Sequence, residues 1–494
     1  VNSGWRSGFA RIGAPAPLAA LMLLVFALLG ASYGYFLQNE YSYNVVCRAG
    51  LSANIVQHGH VDIDDYAHLT QDLSVRDGVY YCDKAPGMSF LGAPTALLFT
   101  AVLPIEGATA EEGNRWPIFL YLLTLTTSVF WSAFAGVVLF TYLYARTGDV
   151  RAAIVGALAY GLATPVFGWA TSFFSHAAAG AFLLIGFIAL DTAARRIGTG
   201  KRVAWPAAAG GLALGTSISV EYTSAIAALI IGAVIGLSHL KRGTFAPLVR
   251  MFLIAVGAAV VAIIPTLIYH NAAFGSPFTT GYGFAAVYEE TRSGLFGVTW
   301  PDPAIIGELI AGTRRGLIWY APAAVAAIVA SVLAWRRAEA RPALIVSGLI
   351  LAAFLFINGG FAYWLGGAST GPRYLTPALA FIGLMLGMIW PALGSLARRA
   401  ILAVVAVGVF INLASVAVDM TVTEEYASPL TDRVFPLFFQ GVLHQTMIYK
   451  ALKLDGLVTL LPLLLIWAGL GWLILRETRK AEAAPRDAAM TNGA

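Results

Sequence analysis

The chain has 494 residues, of which 12% are charged and 59% hydrophobic, and a formal charge of +5. A soluble domain carries about a quarter of its residues as charged types, so this chain cannot cover a water-facing surface, and its solvent is lipid. The net positive charge does not point to nucleic acid, because basic residues collect in the cytoplasmic loops of membrane proteins. Two cysteines exclude a zinc cluster or a disulfide-rich scaffold.

The first apolar stretch runs from Pro15 to Leu37, with Arg6 and Arg11 on its amino side. It is too long for a signal-peptide core and reads as a retained first span. Further stretches able to cross the bilayer fall at 117–145, 152–172, 175–194, 203–220, 222–240, 251–270, 316–335, 343–363, 374–394, 400–418 and 456–475. One more, 88–105, is shorter and holds Pro94 and Pro104. Charge decides whether it crosses. If it does not, Arg146–Arg151, Arg195–Arg202, Lys241–Arg250, Arg336–Arg341, Arg398–Arg399 and Arg476–Lys480 all share the side of the amino terminus, as the positive-inside rule requires.

The expected fold is therefore an all-α integral membrane protein of twelve spans, with both termini cytoplasmic and 88–105 lying along the outer interface as a juxtamembrane helix. Residues 1–475 read as a single membrane domain with outer loops 38–116, 271–315, 364–373 and 419–455. Residues 476–494 read as a disordered cytoplasmic tail.

Chemistry is expected in the long outer loops. Glu40 directly follows the first span, where a partly desolvated acid can act as a general base. Asp83 and Lys84 stand side by side before the Pro86-Gly87 turn, placing an ammonium near the phosphate plane of a lipid. His58, His60, Asp62, Asp64 and Asp65 offer ligand atoms but match no standard metal loop; a divalent cation is left open. His176, Glu221 and Tyr222 sit in short outer turns, where ionisable groups are costly and mark a site or a buried pair. Arg314, Arg315 and Arg373 stand on the outer side against the topological bias. A guanidinium fork on a phosphate is one reason for such placement, and the neighbouring glycines would let main chain approach an anion. Cys47 and Cys82 share the first outer loop and are expected to form a disulfide.

Asp83-Lys84-Ala85-Pro86 resembles an element of the GT-C glycosyltransferases, in particular the bacterial family 39 relatives that include protein O-mannosyltransferases and lipid A aminoarabinose transferases. Gly78-Val79-Tyr80-Tyr81-Cys82-Asp83-Lys84-Ala85-Pro86-Gly87, His176, and the segment Gly366 to Tyr374 with its Gly-Pro-Arg-Tyr end look closer still to a bacterial branch of that group. The resemblance implies a GT-C-type bundle in a bacterial inner membrane with a periplasmic site. The implied donor is a polyprenyl-phosphate-linked sugar and the implied partner a cell-envelope acceptor (lipid, glycan or protein). Lys84, Arg314, Arg315 and Arg373 would bind the donor phosphate, with Tyr374 beside them. An acid would deprotonate the acceptor, and the anomeric configuration would invert. Where the family carries Asp-Glu after the first span this chain has Asn39-Glu40, so Glu40, Asp83, Asp62, Asp64 and Asp65 compete as the base. Cys82 replaces a serine. The competing readings are a glycan ligase or polymerase using a lipid pyrophosphate, and a lipid or solute transporter; span centres nearly free of charge argue against ion coupling.

Overall fold

The computed structural model describes residues 16–38, 40–105, 115–292, 294, 297–336 and 339–483. In chain order its main helices are α1 (Ala16–Gly34), α2 (Tyr43–Gln57), α3 (Gly87–Thr100), α4 (Arg115–Thr147), α5 (Val150–Leu162), α6 (Ser175–Arg196), α7 (Ala204–Val220), α8 (Ser224–His239), α9 (Phe245–Phe274), α10 (Pro322–Leu333), α11 (Arg341–Gly359), α12 (Thr376–Ile389), α13 (Ser395–Val418) and α14 (Leu461–Ala483). Among the described residues, eight helical stretches, containing α1, α4, α6, α9, α11, α12, α13 and α14, are long and apolar enough to cross a membrane. The predicted spans 152–172, 203–220, 222–240 and 316–335 overlap the shorter helices α5, α7, α8 and α10.

Helices α6 and α12 are enclosed almost all round, whereas α9 and α14 bury only a minor part of their surface. An apolar helix with no polar face belongs either in a core or against lipid, and these two pairs take the two options. Close packing uses small residues. A Cβ on Gly211 or Gly215 of α7 would strike the main chain of Ala255 or Ala259 of α9, the small-xxx-small spacing that lets membrane helices approach.

The first outer loop leaves and re-enters the bundle at one end. Trp116 Nε1, in the first turn of α4, donates to the main-chain oxygen of Glu40, just beyond α1, at 2.8 Å. The side chain of Gln57 at the end of α2 pairs with both main-chain groups of Ile105. The segment 88–105 holds most of α3, one of the shorter apolar helices beside α5, α8 and α10.

Between α2 and α3 lies a hairpin of β1 (Leu73–Arg76) and β2 (Val79–Cys82), in register Leu73↔Cys82 and Arg76↔Val79. Its two-residue turn is Asp77-Gly78, both with positive φ (54° and 80°). That is the twist-matched turn for which Asp-Gly is suited. Cys82 at the end of β2 is bonded to Cys47 of α2.

The tail departs from expectation. Helix α14 continues through the polar residues Arg476 to Ala483. Good helix formers fill this stretch, Lys480 pairs with Glu477, and Glu482 pairs with Arg151 at 2.6 Å. Residues 484–494 and Asn39 lie outside the described residues.

Substituting Gly215→Leu is expected to destabilise the protein by about 1–3 kcal/mol through overpacking. Gly257→Ala, where an added Cβ meets nothing, should stay within about 0.5 kcal/mol. Thermal unfolding in detergent compares the two.

Candidate active site

One cavity of about 890 Å³ opens at the end of the bundle where the first loop sits, within the size range of small-ligand sites. Its wall includes Glu40, Asp72, Lys84, His176, Glu221, Tyr222, Arg373 and Tyr374. Residues from five separate parts of the sequence therefore converge there.

Lys84 follows the hairpin and points its ammonium between two carboxylates, Asp83 Oδ2 at 3.0 Å and Asp72 Oδ1 at 3.2 Å. Burial disfavours the charged amine, but Asp72 and Asp83 outweigh it, and the Lys84 pKa is raised. Asp83 is 1% exposed and does not line the cavity. Burial pushes its pKa up to about 6 against the opposing pull of Lys84, and its Oδ1 is buried without a hydrogen-bond partner. Arg48 of α2 braces this corner. It donates to Asn44 Oδ1 at 2.9 Å, to the main-chain oxygen of Ala85 at 3.0 Å and to Ser175 Oγ at 3.2 Å.

The first turn of α6 and the turn between α7 and α8 form the next wall. Glu221 Oε2 accepts the Ser175 hydroxyl at 2.6 Å and lies 3.1 Å from His176 Nδ1. Burial would raise the Glu221 pKa, but the bonds from His176 and Ser175 and the charge of Arg48 hold it down at about 2. Tyr222 hydrogen-bonds His270 Nε2 at 2.7 Å.

Arg373 lies opposite, its guanidinium over the rings of Tyr374 and Phe174 at 4.9 and 5.6 Å from the centroids. Its Nη2 donates to Tyr374 Oη at 3.1 Å. Its Nε is buried without a partner. No ion pair to Arg373 is present among the described residues; the charge of Asp72 acts on this guanidinium without touching it. Gly366 and Gly367 have φ of 73° and 63°, and a Cβ on Gly366 would meet Arg373 itself. Glycine is needed there both for conformation and for space.

The other predicted residues divide. Glu40 reaches the cavity and accepts Lys450 Nζ at 2.8 Å. Arg315 does not reach it. Its guanidinium is spent on the main-chain oxygens of Leu365, Gly367 and Arg314 at 2.8 to 3.1 Å, so it holds the glycine turn in place. Arg314 is likewise outside the lining. Asp62, Asp64 and Asp65 lie away from the cavity. Asp64 Oδ1 accepts the Tyr80 N–H at 2.7 Å, and Asp65 faces Asn54; they shape a turn. Among the described residues the one potential metal grouping is Cys47, Cys82 and Asp83, and its two sulfurs are bonded to each other.

Asp72, Arg48 and Lys450 are cavity or bracing groups that the sequence did not flag. Asp72 had a signal. An Asp-Gly turn at 77–78 that pairs Leu73 with Cys82 places Asp72 across from Asp83, with the Asp83 N–H on the Asp72 oxygen at 3.4 Å. Arg48 and Lys450 had none.

No protein-family model matches the chain, and no curated protein matches it in sequence. Solved structures do match. The archaeal oligosaccharyltransferase AglB from Archaeoglobus fulgidus, in complex with an inhibitory peptide and a dolichol-phosphate, aligns with a TM-score of 0.52 at 11% identity over 83% of this chain and 56% of that chain. ArnT from Cupriavidus metallidurans bound to undecaprenyl phosphate aligns with a TM-score of 0.49 at 13% identity over 97% of this chain and 78% of that one. The fold is shared with AglB. It is an all-α membrane fold, as the sequence led us to expect.

An acid whose folded pKa is raised holds its proton more tightly when folded, so its contribution to stability grows as pH falls from above the folded value toward the ordinary one. Wild type should therefore gain melting temperature relative to Asp83→Asn between pH 7.5 and 5. A gap independent of pH would remove this assignment.

Proposed function

We propose that the chain is a membrane glycosyltransferase that moves a sugar from a polyprenyl-phosphate donor to a hydroxyl of a cell-envelope acceptor, with inversion. Its site would lie on the membrane face opposite the amino terminus, the periplasmic face of a bacterial inner membrane. The observation that carries this reading is the meeting of Lys84 and Arg373 on one cavity. The dolichol-phosphate in the AglB complex supports a lipid phosphate as the ligand.

The two cations differ in what they offer. An ammonium has three donors; two point at Asp72 and Asp83, which leaves one for a phosphate oxygen. Arg373 has an unpartnered buried Nε and no carboxylate partner, so it supplies the net charge. A planar guanidinium also fixes phosphate orientation. Asp72 and Asp83 act as positioning residues that aim Lys84. With the phosphate held, the acceptor hydroxyl attacks the anomeric carbon from the opposite side. The carbon–oxygen bond to phosphate breaks, and its electron pair leaves with the lipid phosphate. Glu40, paired with Lys450, and Gln445 stand on the wall beyond the end of α1, where we place the acceptor.

Purified protein incubated with a panel of polyprenyl-phosphate sugars should release lipid phosphate. Lys84→Ala and Arg373→Ala should each weaken polyprenyl-phosphate binding by about 10- to 100-fold, the loss of one or two hydrogen bonds to a charged group, without lowering the melting temperature by more than a few degrees. Full binding and turnover in both variants would end the assignment.

A further inference from the structure

The pair His176–Glu221 has no part in holding the phosphate, and its geometry suits a different task. We propose that His176 is the base that takes the proton of the acceptor hydroxyl, with Glu221 as its positioning residue; this rests on the glycosyl-transfer reading above.

Three contacts fix the imidazole. Nδ1 lies 3.1 Å from Glu221 Oε2, and the ring meets Trp169 and Tyr374 edge-on at 5.8 and 5.5 Å between centroids. Glu221 is acceptor-only as a carboxylate, so the Nδ1 of a neutral ring must carry the hydrogen. The lone pair is then on Nε2. His176 lines the cavity, and no hydrogen bond to its Nε2 is found among the described residues. Glu221 is itself immobilised by the Ser175 hydroxyl, which Arg48 holds in turn. A carboxylate behind a histidine fixes its tautomer and stabilises the imidazolium formed on proton uptake.

The alternatives are occupied. Asp83 is walled off from the cavity. Asp72 Oδ1 carries the Lys84 ammonium, Glu40 Oε2 carries that of Lys450, and Asp419, also on the lining, accepts the Thr421 N–H and hydroxyl and faces Arg433. His176 also packs on Tyr374, the ring that Arg373 covers, which sets it beside the phosphate cation. In the step itself, the acceptor oxygen bonds the anomeric carbon as that carbon's bond to the phosphate oxygen breaks. The hydroxyl proton passes to Nε2, and the electron pair departs with the lipid phosphate. The imidazolium then returns its proton to water.

The test uses the full-length chain with a donor that wild type turns over. His176→Asn should lower kcat roughly 100- to 10,000-fold while the donor KM and the melting temperature stay within threefold and a few degrees. Added imidazole should restore part of the lost turnover in His176→Gly, which a structural role would not allow. If His176→Gly does not fold, Glu221→Gln serves instead, with at least a tenfold fall in kcat at unchanged donor KM. The inference is overturned if His176→Asn keeps kcat within threefold, or if imidazole restores nothing while Glu40→Gln alone abolishes kcat. Wild type that releases lipid phosphate from no donor sinks the glycosyl-transfer reading itself, and this inference with it.

Discussion

A buried ammonium clasped by two carboxylates is the interaction around which the loop between α1 and α4 is organised. Removing such charges from water is costly unless they are paired with good geometry. Lys84 therefore requires Asp72 and Asp83 together, and the two acids can stand together only because the hairpin brings them level. The Cys47–Cys82 bond then ties the end of the hairpin to α2. Arg48 of the same helix ties the next residues through the Ala85 oxygen. Close packing completes the corner, since a Cβ on Gly87 would collide with the main chain of Ser219 and Val220. Loop, disulfide and helix packing all serve to hold one cation in one direction.

The opposite wall follows different rules. Arg373 is fixed by two aromatic faces in place of acids, so its charge remains available to a ligand. Arg315 shows what happens to an otherwise similar guanidinium when main-chain oxygens surround it. It becomes a clamp on the turn that ends in Arg373, through Leu365 and Gly367. Two arginines thus work in series, one shaping the backbone and one presenting charge.

Around the cavity, acids and bases nearly balance. Lys84 is matched by Asp72 and Asp83, Lys450 by Glu40, and Glu221 by its neighbours from α6. A phosphate entering such a site finds most cations already committed. Its strongest attraction is to Arg373, and the remaining groups orient it. The other end of α6 shows a contrasting arrangement. There the buried Asp191 is satisfied by Tyr142, Arg195 and His239, a closed network with nothing left to offer a substrate.

The sequence by itself determined the solvent and the apolar helices. Apolar run length and the bias of Lys and Arg are one-dimensional properties, so they survive without coordinates. It also exposed Lys84, Arg373, His176 and Glu221, because an ionisable residue at a span boundary is expensive and stands out. What it left undecided was the use of each charge. Arg315 and Arg373 look alike as letters, yet Arg315 is held by the oxygens of Leu365 and Gly367 and Arg373 lies over Phe174, partners from distant segments. The sequence passed over Asp72 and offered Asp62, Asp64 and Asp65 as competing bases, until the hairpin register put Asp72 beside Lys84 and the others lay away from the cavity. A charge acquires its role from the atoms within about 4 Å of it, and only the tertiary structure supplies those.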